Sequence, residues 1–134
     1  MRVFLDSNIP MYVAGVEHAN REPARRVLTQ VRKGELDACT STEALQEILY
    51  RYASIGRRDL AHEVYDLFVE ICPVVLGVTL AETDRARDIL CQTTSISARD
   101  AIHAAVMLNH DVEWIATFDK GFDQVSGIRR LKME

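Results

Sequence analysis

Apolar residues fall along the chain in two rhythms, short continuous runs and stretches that recur every three or four positions, and their alternation predicts strands separated by helices. Arg2 to Leu5 is a short β-rich run broken by Asp6-Ser7-Asn8, after which Ile9-Pro10-Met11-Tyr12 opens a helical turn. From about Glu22 to Lys33, Ala24, Val27, Leu28 and Val31 recur at helical spacing. Arg21, Arg25, Arg26, Arg32 and Lys33 take the other face, and Gly34 stops the helix. Asp37-Ala38-Cys39 is a small strand candidate. Thr40-Ser41-Thr42-Glu43 then reads as the cap of a helix with Leu45, Ile48, Leu49 and Tyr52 as its buried stripe, closed by Gly56.

A further helix from about Asp59 to Ile71 carries Leu60, Val64, Leu67, Phe68 and Ile71 at core spacing, and Pro73 to Leu76 has the length of a strand. Helices follow from about Thr79 to Cys91 and from Ser97 through Leu108, the second apolar on nearly every face and therefore central. Trp114 to Thr117 is a third apolar run, and Ile128 to Leu131 reads as a last edge strand. Strands joined by helices imply an α/β sandwich around a mostly parallel sheet, because parallel neighbours need crossover connections. The 134 residues contain no linker, repeat or low-complexity segment, so a single domain is expected.

Composition narrows the function. Sixteen Lys+Arg against 20 Asp+Glu give a net charge of −4, which provides no global positive field for nucleic acid or an acidic membrane. The longest uncharged stretch, Ile71 to Ala81, is broken by Pro73 and Gly77 and is too short to span a bilayer, which needs about 20 residues. Asp6 interrupts the N-terminus before any apolar signal core can form, so a cytoplasmic location is expected. Cys39, Cys72 and Cys91 are widely spaced and read as buried free thiols. His62-Glu63 resembles the start of a zinc-peptidase motif, but position 66 is Asp66 where the second histidine should stand.

Four acids stand out by position. Ligands of open α/β sheets bind beyond the carboxyl ends of the strands, so Asp6 and Asp119, each following an apolar run, should face one crevice. Asp100 opens the central helix, and Glu47 sits among the apolar Leu45, Ile48 and Leu49. Each acid also has a structural reading. Asp6 could serve as a helix cap, Glu47 could pair with Arg51 four residues on, and Ser97-x-x-Asp100 has capping-box spacing. Glu43, three residues after Thr40, is accounted for by the same capping-box spacing. Asp119 and Asp123 flank Gly121 in a turn, where acids are ordinary, and Asp123 reads as solvated. His103 reads as a satisfied helix histidine rather than a general base. Acids gathered closely repel unless a divalent cation neutralises them. Oxygen ligation without a His or Cys set favours a hard ion, Mg²⁺ or Mn²⁺.

Taken together, Val3 to Asn8, Ser41 to Glu47, Ser97 to Ala105 and Ala116 to Asp123 resemble the PIN domain in order and spacing across essentially the whole chain. The resemblance is closest to the small VapC-like toxin ribonucleases of toxin–antitoxin pairs. It implies a PIN-like α/β/α sandwich and a metal-dependent endoribonuclease in which Asp6, Glu47, Asp100 and Asp119 are catalytic and Asp123 is a less constant fifth acid. Asp6, Asp100 and Asp119 would hold one or two Mg²⁺ or Mn²⁺, Glu47 would orient or deprotonate the attacking water, and the products would carry 5′-phosphate and 3′-hydroxyl ends. It further implies an RNA substrate, a cognate antitoxin and a homodimer, with no role for a membrane. Setting the five acids apart leaves 16 basic against 15 acidic residues, so RNA affinity should be modest, salt-sensitive and best for single strands. A noncatalytic PIN-like scaffold that binds RNA or protein is the alternative. An aspartyl-phosphate enzyme would need a second Asp where Asn8 stands.

Overall fold

A computed structural model describes residues 2–133, and its elements follow the expected alternation. Strand β1 spans Arg2–Leu5, followed by α1 (Asn8–Ala14), α2 (Arg21–Arg32), β2 (Asp37–Ser41), α3 (Thr42–Ser54) and α4 (Arg58–Ile71). Then come β3 (Val74–Leu76), α5 (Leu80–Gln92), α6 (Ala98–Asn109), β4 (Trp114–Ala116), a 3-10 turn at Lys120–Gln124 and β5 (Arg129–Arg130). The five strands form one sheet in the order β3-β2-β1-β4-β5, and every pairing is parallel.

Strand β1 is central, and both of its faces are covered. Val3, Phe4 and Leu5 are all fully buried, the continuous apolar run expected of a strand enclosed between helical layers. Val3 and Leu5 join the core formed with α1 through α4, whereas Phe4 faces the core built from α5 and α6. Phe4, Phe68, Phe122, Ile48 and Met107 are among the largest fully buried side chains; burying each contributes about 1.5–3 kcal/mol. Helix α6 is central as expected, with Ala101 and Ala104 to Met107 removed from solvent. Gly34 ends α2 with φ of 76°, a left-handed turn that a side chain would strain.

Three local expectations are corrected. Leu49 is 45% exposed because the inward stripe of α3 is Ala44, Leu45, Ile48 and Tyr52. Strand β2 continues through Thr40 to Ser41, so the N-cap of α3 is Ser41, whose hydroxyl accepts the Ala44 N–H at 3.4 Å. That register leaves Glu43 one position short of a capping box. Among the cysteines, Cys39 and Cys72 are buried free thiols, but Cys91 is exposed. No helix among the described residues is long and apolar enough to cross a membrane.

Candidate active site

The strand order creates the site. The chain steps from β1 to β2 to β3 on one side, then returns to place β4 on the other side of β1, and this reversal opens a crevice at the carboxyl ends of β1 and β4. Asp6 leaves β1 at that point, its N–H still bonded to Ala116 O at 3.1 Å. Asp119 leaves β4 two residues after Thr117, at the head of the 3-10 turn. Helix α6 starts at the same end, with Ser97 capping it through the Asp100 N–H at 3.1 Å, so capping and placement of Asp100 coexist.

Thr117 is the fixed point of the cluster. Its hydroxyl donates to Asp6 Oδ2 at 2.7 Å and accepts from the Asn8 amide at 3.2 Å and the Asp119 N–H at 3.0 Å, which uses its one proton and both lone pairs. Asp6 Oδ1 accepts the Ser7 N–H at 2.7 Å, yet the residue at the N-cap position of α1 is Ser7. Asp119 Oδ1 accepts the Gly121 N–H at 2.8 Å; a Cβ at Gly121 would lie 3.2 Å from that oxygen, so the turn closes tightest on a glycine.

Glu47 does not turn to Arg51. From α3 its Oε1 reaches His103 Nε2, and the same nitrogen lies 3.7 Å from Asp6 Oδ1. Donor atoms of Asp6, Glu47 and His103 all fall within 4.8 Å of one another. His103 is fully buried beside Phe4, with ring centroids 5.3 Å apart, and its Nδ1 has no hydrogen-bond partner among the described residues. On the other side of Asp6, the Asp100 carboxyl hydrogen-bonds to Asp119.

These neighbours set the protonation chemistry. Burial raises the pKa of Asp6, with His103 and Thr117 pulling against it and Glu47 adding to it. Burial, the hydrogen bond to Asp119 and the charges of Asp6 and Asp119 push Asp100 up to about 8. The same bond holds Asp119 below the usual carboxylate range, so the two carboxyls titrate as a pair. Burial opposes a charge on His103, but the hydrogen bond to Glu47 and the carboxylates of Asp6, Glu47 and Asp100 outweigh it and raise its pKa.

The four acids singled out from the sequence therefore meet at one end of the sheet, while Asp123 turns outward into a two-pronged pair with Arg130 at 2.8 and 2.9 Å. Two neighbours escaped sequence reasoning. His103 is not a satisfied helix histidine but the partner of Glu47, and its position one turn after Asp100 on an otherwise apolar helix was the available signal. Glu43 lies within electrostatic reach of Glu47, His103 and Arg99, and burial raises its pKa. Its true place became visible only when the cap of α3 was fixed at Ser41.

No Lys or Arg among the described residues is ion-paired with Asp6, Glu47 or Asp100. Carboxylate oxygens this crowded, relieved by neutral hydrogen-bond donors and one histidine but by no Lys or Arg ion pair on Asp6, Glu47 or Asp100, form a donor set suited to a hard divalent cation. The set passes the test of fit for Mg²⁺, and the nearby imidazole nitrogen is compatible with Mn²⁺ as well.

Comparisons with known proteins identify the family and the fold. A family model described as the PIN domain matches residues 3–128. The chain is 40% identical over 129 residues to Ribonuclease VapC13 of Mycobacterium tuberculosis, covering 96% of this chain and 98% of that protein. It is 34% identical over 120 residues to Ribonuclease VapC23 of the same species, covering 87% and 92%. Among solved structures, VapBC2 from Rickettsia felis bound to a DNA fragment from their promoter superposes with a TM-score of 0.77 at 16% identity, over the whole of both chains. At that identity the likeness establishes the fold alone.

Proposed function

The chain belongs to the PIN-domain family, and from that premise we propose that it is a metal-dependent endoribonuclease, the toxin of a toxin–antitoxin pair. The observation that carries the reading is the crowding of Asp6, Glu47, Asp100 and Asp119 at the carboxyl ends of β1 and β4, where a ligand of such a sheet binds. Asp6, Asp100 and Asp119 would hold one or two Mg²⁺ ions, with Mn²⁺ as a substitute. When bound, the cation supplies positive charge against the scissile phosphate and makes water more acidic.

The chain's own residues do the rest. Thr117 and the Ser7 N–H fix Asp6, and the Gly121 N–H fixes Asp119, so the carboxylates do not have to reorganise as charge develops. Asp100 and Asp119 would hold the cation with both carboxyls deprotonated. Glu47, held through Oε1 by His103, keeps Oε2 for the attacking water and takes its proton. Attack on phosphorus breaks the bond to the 3′-oxygen, which leaves as a 3′-hydroxyl, and the other fragment retains a 5′-phosphate.

The antitoxin reading draws on the relatives and on one surface. A cleft of about 520 Å³ between α1 and the ends of α3 and α4 is lined by Met11, Tyr12, Val16, Tyr52, Ile55 and Leu60, and Val16 is 86% exposed. Apolar surface of this kind is what a partner covers. A homodimer in the cytoplasm is proposed on the family likeness.

The test is to map the ends of RNA cut by the purified protein with Mg²⁺ and with EDTA. The proposal expects 5′-phosphate and 3′-hydroxyl ends and no cutting in EDTA. A 2′,3′-cyclic phosphate, or cutting that persists in EDTA, would overturn it. Cleavage by Asp100→Asn at the wild-type rate would favour a scaffold with no catalytic role.

A further inference from the structure

Among the described residues, one set of three metal-capable side chains has donor atoms converging within 4.8 Å, and it is not made of acids alone: it is Asp6, Glu47 and His103. His103 is fully buried on α6, one turn after Asp100. Its Nε2 meets both acids of the set, Glu47 Oε1 through a hydrogen bond and Asp6 Oδ1 at 3.7 Å. Imidazole nitrogens do ligate Mn²⁺, so the role of this nitrogen decides how much of the acidic centre is open to metal.

Two observations make Nε2 a donor rather than a ligand. A carboxylate only accepts, so the proton of the bond to Glu47 belongs to Nε2, and it does so whether the ring is neutral or charged. A histidine that ligates through one nitrogen almost always donates the other N–H to a carboxylate, a carbonyl or water. Nδ1 of His103 is buried beside Phe4, at 5.3 Å between ring centroids, and has no partner among the described residues. Moving the proton there would bury an unpaired donor.

Resting on the metal-dependent nuclease reading, we propose that His103 closes the Glu47 side of the acidic centre to metal, so that the chain binds a single divalent cation through Asp6, Asp100 and Asp119. A second ion bridging Asp6 and Glu47 would need their oxygens about 2.0–2.1 Å away, in the gap that the Nε2–H group fills. The proton on Nε2 thus takes the place of that ion. Three acids are left for the cation, and Glu47 is kept off it to handle water.

The test titrates the full wild-type chain with Mn²⁺, counts bound ions from the electron paramagnetic resonance signal of the free ion, and reads nitrogen coupling to the bound ion by electron spin echo. One Mn²⁺ per chain is expected, without the coupling of a directly bound histidine nitrogen. Glu47→Gln should leave the count at one. His103→Ala opens the space between Asp6 and Glu47 and should raise the count to two, with the exchange-coupled spectrum of a neighbouring pair. Because that variant also leaves a cavity beside Phe4, wild type and Glu47→Gln decide the matter if it fails to fold. Two ions on wild type, a count that falls from two to one in Glu47→Gln, or a directly coupled nitrogen would overturn the proposal while leaving the nuclease reading intact. So would a His103→Ala protein that is folded by circular dichroism and still binds one ion. A wild-type chain that binds no Mn²⁺ removes the metal-dependent reading and this one together.

Discussion

Two buried carboxylates, one on α5 and one at the start of the central helix α6, are treated in opposite ways. Glu82 on α5 is met by donors: the Thr79 N–H at 2.9 Å, the Thr79 hydroxyl at 2.6 Å and the Asn109 amide at 2.6 Å. The hydrogen bonds from Thr79, followed by the one from Asn109, pull its pKa down to about 2. Asp100 on α6 is met by burial and by other acids, and is pushed up to about 8. Both helices pack on each other, so the difference lies in the neighbours rather than in the fold. A buried acid surrounded by donors ties structure together; a buried acid surrounded by acids is held at a cost to stability and has a use for a cation.

Substitution should separate the two most sharply. Asp6→Asn or Asp100→Asn is expected to lower RNA cleavage by ~10³-fold while the protein stays folded. Glu82→Ala should do the reverse, losing about 1–3 kcal/mol of stability in denaturant unfolding as the donors of Thr79 and Asn109 go unpaired, with cleavage retained. A Glu82→Ala protein that is stable but inactive would break the comparison.

A smaller effect is expected at His103. His103→Asn leaves the Glu47 carboxylate without its tether, and kcat should fall about 10–100-fold at unchanged KM, measured in steady-state cleavage. A rise in KM alone would show that His103 serves the binding of RNA instead.

The smallest effect is on stability against pH in EDTA, where the two carboxylates act with opposite sign. Asp100 has a folded pKa raised from 3.8 to about 8, so its contribution is fully present below about pH 4 and is lost as pH rises toward 8; Asp6 and His103, also raised, act in the same direction. Glu82 has a folded pKa lowered from 4.5 to about 2, so its contribution is present above about pH 4.5 and lost as pH falls through 2. The melting temperature should therefore decline between about pH 5 and 8, and Asp100→Asn should flatten that decline while Glu82→Ala leaves it unchanged.

Much of this was legible in the sequence because the strongest signals are local. The apolar run at Arg2–Leu5 and the acid behind it, the capped start of α6 and the acid at its third position, and the acid after Thr117 all depend on spacing along the chain. What escaped depends on tertiary register. Whether Leu49 or Ala44 is covered on α3 turns on which neighbours pack against the edges of its Leu45-Ile48-Tyr52 stripe, and the extension of β2 to Ser41 removes Glu43 from its capping box. The pairing of Glu47 with His103 spans 56 positions, and a helical ion pair with Arg51 is the nearer choice until α3 and α6 are seen together.

The most direct measurement is the melting temperature of wild type and Asp100→Asn, each in EDTA and in saturating Mg²⁺. Relief of crowding should make Asp100→Asn the more stable protein in EDTA, and Mg²⁺ at about 100 times its dissociation constant should add about 2.7 kcal/mol to wild type and much less to the variant, reversing the order. If Mg²⁺ stabilises the two equally, or stabilises neither, the acids do not form a cation site and the account is contradicted.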